Sequence, residues 1–74
     1  DLEELIKEYA EVVRRHHKAV RDLERLVREL ANAKHASEEE LKRIATEILR
    51  IVKELIRVQE RLIKLSEDSN EESR

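Results

Sequence analysis

The chain has 74 residues, 46% of them Asp, Glu, Lys or Arg, with no Gly, Pro, Cys, Met, Trp or Phe and a single aromatic residue, Tyr9. At ordinary usage of about 7% Gly and 5% Pro, a chain of this length lacks both roughly once in ten thousand. That absence removes whole function classes: no Gly-rich loop to cradle a phosphate, no thiolate nucleophile or metal ligand, no disulfide. No run of 18 or more apolar residues offers a membrane span, and a formal charge of −2 does not suit a chain that coats nucleic acid. One small domain is the limit. The 39% hydrophobic content, set in strict period, argues for order despite the charge. The composition predicts a soluble chain and names no compartment.

The first predicted helix covers about 2–33 and repeats every seven residues. With Leu2 as position a, that series continues through Tyr9, His16, Leu23 and Leu30, and d carries Leu5, Val12, Ala19, Leu26 and Ala33. Position e adds Ile6, Val13, Val20 and Val27, which widens the apolar stripe to roughly 100°. Position f is wholly basic, with Lys7, Arg14, Arg21 and Arg28, and reads as a solvated face. Glu3 with Lys7, Glu11 with Arg15 and Glu24 with Arg28 stand at the i,i+4 spacing that favours ion pairs.

The periodicity stops near Ala33 and restarts after Ser37. Ser37 followed by Glu38, Glu39 and Glu40 is a capping box, and its carboxylates complement the positive end of the helix dipole. The predicted loop, about 34–36, is short enough to force antiparallel neighbours. Without Gly, Asn32, Lys34 or His35 must end the first helix, at an expected cost in left-handed strain.

The second predicted helix covers about 38–66. Its a series is Leu41, Ile48, Leu55 and Leu62, its d series Ile44, Ile51, Val58 and Leu65. Position e carries Ala45, Val52, Gln59 and Ser66, and position b adds Leu49, Ile56 and Ile63. That arc approaches about 160°, so this helix is expected to touch more than its hairpin mate. After Leu65 the pattern ends, and 67–74 reads as a fraying polar tail.

Few residues could carry chemistry. His16 and His17 are adjacent and point about 100° apart on a helix, so they cannot share a metal ion, and no Glu lies three residues before any His. The basic stretch from Arg14 to Arg28 lacks the aromatic residues of a nucleic-acid platform. No nucleophile, base and oxyanion donor can be assembled, so no enzyme, small-molecule substrate, cofactor or metal is expected. What stands out is polar residues inside an aliphatic seam. A turn near 35–36 sets Gln59 level with position 12, within reach of Tyr9 and about one turn from His16. Tyr9, His16 and Gln59 are therefore expected to form a buried polar cluster, which would penalise wrong registers and wrong partners.

Two antiparallel rods enclose no interior, yet the chain carries 23 large apolar side chains, counting Leu, Ile, Val and Tyr9. Each is worth about 1.5–3 kcal/mol when fully buried, so association is the central expectation, with Ile48, Leu49, Val52, Leu55, Ile56 and Ile63 as the interface core.

Over residues 1–66 the chain resembles the computationally designed helical-hairpin oligomers with buried hydrogen-bond networks, such as designed heterodimeric four-helix bundles. The regular Glu/Arg surface rows, the Ser37-Glu38-Glu39-Glu40 restart, the Leu/Ile/Val seam and the isolated Tyr9, His16 and Gln59 carry the resemblance. It implies an all-α hairpin that completes an intermolecular coiled-coil-like bundle, and a protein without an evolved activity that assembles specifically. The expected partner is another helical hairpin. A different chain forming a heterodimer is slightly favoured over identical copies, whether a dimer or a trimer with the second helix innermost. A coiled-coil adaptor that docks in a groove of a larger protein is the remaining alternative.

Overall fold

The computed structural model describes residues 1–72, with side chains through residue 68. It is an all-α hairpin of two helices, α1 (Leu2–Ala31) and α2 (Glu38–Glu72), with no strand among the described residues. The helices pack along their length into a rod of 58 × 15 × 13 Å. Its radius of gyration, 17.0 Å, exceeds the ~11 Å of a compact globule of equal length.

Caps define three of the four helix ends. Asp1 opens α1: its carboxylate accepts the N–H of Glu3 at 2.7 Å and of Glu4 at 3.2 Å. Ser37 opens α2 as its motif predicts, its Oγ accepting the Glu40 N–H at 3.1 Å while its carbonyl accepts the Leu41 N–H at 3.0 Å. The end of α1 departs from expectation. It comes two residues early, and no described residue has a positive φ. Asn32, at φ −96° and ψ 2°, donates its N–H to the Arg28 carbonyl, and Ala33 and Lys34 donate to the carbonyls of Leu30 and Asn32. The carbonyls of Arg28 and Leu30 are thus satisfied without a positive φ, and the expected left-handed strain is absent.

At the other end α2 runs through Glu72, beyond Leu65 where the apolar repeat stops. The segment expected as a polar tail, 67–74, is helical as far as Glu72, and its last two residues lie outside the described part of the chain. No Gly or Pro interrupts it, and Lys64 pairs with Asp68 at 3.7 Å one turn on.

The core is a single row. Val12, Ala19 and Leu26 of α1 lie in the seam with Ile44, Ile51, Val58 and Leu65 of α2, so among the described residues every buried one is a d position. Val12 packs with Val58 and Leu65, flanked by Leu5, Tyr9 and Leu62. Ala19 and Leu26 pack with Ile51, flanked by Leu23, Ile48 and Leu55. Val12 and Val58 thus share one cluster of the seam, and Ala19 and Ile51 the other.

Candidate assembly interface

The two sides of the d seam differ in kind. Going round either helix, position g lies on one side of d, and a then e lie on the other. On the g side the helices are joined by charge: Arg15 donates to Glu54 at 2.7 Å, Arg61 to Glu8 at 3.4 Å, and Arg43 lies 3.7 Å from Glu29. Glu54 also accepts from Arg57 at 2.8 Å, and Arg25 and Arg43 both reach Glu29. A depression beside Ala19 opens on this edge, lined by Arg15, Lys18, Asp22, Arg50, Glu54 and Arg57. His16 does not line it, so the space that Ala19 leaves faces charge, not the imidazole.

The opposite side has no such closure. Position a is half-buried at Tyr9, His16, Leu23, Ile48, Leu55 and Leu62. Beyond it, Ile6, Val13 and Val27 on α1 and Leu49, Val52, Ile56 and Ile63 on α2 are exposed, from 37% at Val52 to 59% at Ile63. Val20, Leu23 and Val27 floor a shallow apolar depression rimmed by Glu24 and Arg28. The open face is therefore a largely aliphatic surface to which both helices contribute.

Of the six residues expected as interface core, Leu49, Val52, Ile56 and Ile63 stand on this open face, and Ile48 and Leu55 are half-buried at its inner border. The polar residues are placed less uniformly. Tyr9 packs beside Val12, Val58 and Leu65 and is half-buried, His16 is half-buried in the next layer, and Gln59 is exposed. The side chains of His16 and Gln59 have no hydrogen-bond partner among the described residues, and the single chain buries no polar residue. All three lie on the open side.

Two surface expectations change. Glu11 pairs with Arg14 at 2.8 Å and not with Arg15, because Arg15 is turned to Glu54 across the hairpin. Glu3 pairs with Lys7 at 3.8 Å as the spacing predicts, whereas Glu24 and Arg28 make no ion pair among the described residues. The charge rows at g carry the signal that apolar periodicity misses: Glu8 opposite Arg61 and Arg15 opposite Glu54 mark the closed side in the sequence itself.

Among the described residues, no group of three or more His, Cys, Asp or Glu side chains could hold a metal ion, and no helix is long and apolar enough to cross a membrane. Comparison with known protein families, with curated proteins and with solved structures finds no match to this chain.

Proposed function

We propose that the chain is an assembly module whose open aliphatic face docks a second helical hairpin to complete a four-helix bundle. The observation that carries this reading is the asymmetry of the seam: ion pairs bridge the helices along one edge, and aliphatic side chains line the other. The size of the surface supports it. At 6106 Å², the accessible area exceeds the ~4,800 Å² of a compact 8.8 kDa monomer by about 1,300 Å². A standard interface takes about 800 Å² from each partner. The designed hairpin oligomers that the sequence resembles use faces of this kind, and in that reading the module has no enzymatic activity, cofactor or nucleic-acid partner. The buried polar specificity belongs to the same proposal, with the new interface enclosing Tyr9, His16 and Gln59.

Paired substitutions test it. Replacing Ile56 and Ile63 with Gln removes apolar surface from the open face and leaves the d seam intact. Sedimentation equilibrium should show association weakened by about 1.5–3 kcal/mol, since the two half-exposed side chains together bury about the area of one fully exposed one. Circular dichroism should still show a helical chain. Association unaffected by both changes would refute the docking face, and a folded monomer at all concentrations would refute assembly.

A further inference from the structure

The open face is bordered by charges whose order along the rod distinguishes between occupants. The seam contacts place 14–28 of α1 beside 42–56 of α2. In this middle section the α1 segment carries six Arg or Lys against two Asp or Glu, and the α2 segment four against two. Both ends are reversed or balanced. The loop end, 29–41, has four acids and one Lys. At the open end, 1–13 has five acids and one Lys, and 57–68 has three of each. Next to the face the same order holds as a majority: Arg14, Arg21, Arg28, Lys42 and Lys53 flank the middle against Glu24, and Glu3, Glu60 and Glu67 flank the open end against Lys7. Among the described residues Arg21, Arg28 and Lys53 have no carboxylate within ion-pair distance, so their charge is not neutralised within the chain.

Resting on the assembly reading above, we infer that the occupant is a different helical hairpin with the inverse order, acidic along its middle and basic toward its ends. The acid–base–acid order is nearly symmetric about the centre of the rod. A second copy would therefore set basic middle against basic middle whether its loop lay at the same end or at the opposite one. Charges bordering an interface stand closer than the ~8 Å Debye length of physiological salt, so this juxtaposition is felt. Like charges across an interface disfavour the wrong partner, and opposite charges steer the right one. The aliphatic face supplies adhesion, and the border supplies the choice of partner.

The probe is a copy of this chain carrying Arg14→Glu, Arg21→Glu, Arg28→Glu and Lys53→Glu, four exposed positions outside the seam. Wild type, probe and their equimolar mixture are compared by sedimentation equilibrium, with circular dichroism as the check on helix. At low salt the mixed species should form about tenfold more tightly than the wild type with itself, and the ratio should approach one near 1 M salt, where the Debye length is about 3 Å. A second variant with Gln at the same four positions covers a probe that loses its helix. It should self-associate more tightly than the wild type at low salt. If wild type self-associates as tightly as the mixture, and the Gln variant no more tightly than the wild type, the inference is overturned and the assembly reading stands. If none of the four samples associates, the assembly reading falls, and the inference with it.

Discussion

Glu54 joins the closed edge from both sides, accepting from Arg15 across the hairpin and from Arg57 on its own helix. The Arg15 hydrogen bond above all, then that of Arg57, holds its carboxyl below the usual carboxylate range. A folded pKa below the unfolded value of about 4.3 contributes stability above that pH and loses it as the pH falls through the folded pKa. Glu54→Gln should therefore lower the melting temperature at neutral pH, and the gap from wild type should close in acid. A gap that persists below the folded pKa would show that the carboxylate's charge is not what matters. His16 presents a different case, a half-buried imidazole at position a with no hydrogen-bond partner among the described residues. His16→Leu should raise both the melting temperature and the self-association of the isolated chain, because a polar group costing about 1–3 kcal/mol when buried unpaired is replaced by an aliphatic one. Unchanged sedimentation and melting would place His16 outside any interface.

At the scale of the element, each helix is set by its caps and by one buried row. Ser37→Ala removes the acceptor for the Glu40 N–H and should cost about 1 kcal/mol, read as a lower melting temperature. Leu26→Ala, at a position that is 0% exposed, should cost about 2–5 kcal/mol and reduce helical signal. The seven-residue period makes the two helices and their d seam legible in the sequence, and the Ser37 restart places the start of α2 correctly. The end of α1 is less legible, because without Gly nothing in the residues distinguishes a left-handed stop from the one found here, which has no positive φ. Nor does apolar periodicity reveal where α2 stops, since helical backbone persists through polar residues that neither pack nor break it. Which rows stay open depends on the side of d toward which the second helix lies. That side is marked only by the paired charges at g, a weaker signal than the apolar repeat because exposed ion pairs contribute little individually.

At the scale of the molecule, the hairpin is a rod with one edge bridged by ion pairs and one open. The open face of Ile, Leu and Val is the ground of the proposed assembly, because exposed apolar patches on monomers are ordinarily confined to a few hundred Å². The absence of Gly, Pro, Cys and nearly all aromatic residues leaves a seam of aliphatic side chains and a surface of charge rows. These are the parts from which selective helix assembly is built. The most direct test is the melting of the chain, followed by circular dichroism over a wide range of concentrations. Folding coupled to association makes the melting temperature rise with concentration, by mass action, and the account predicts that rise, with its loss in the Ile56→Gln, Ile63→Gln variant. A cooperative transition at the same temperature across the whole range, from a chain that sediments as a monomer, would contradict it.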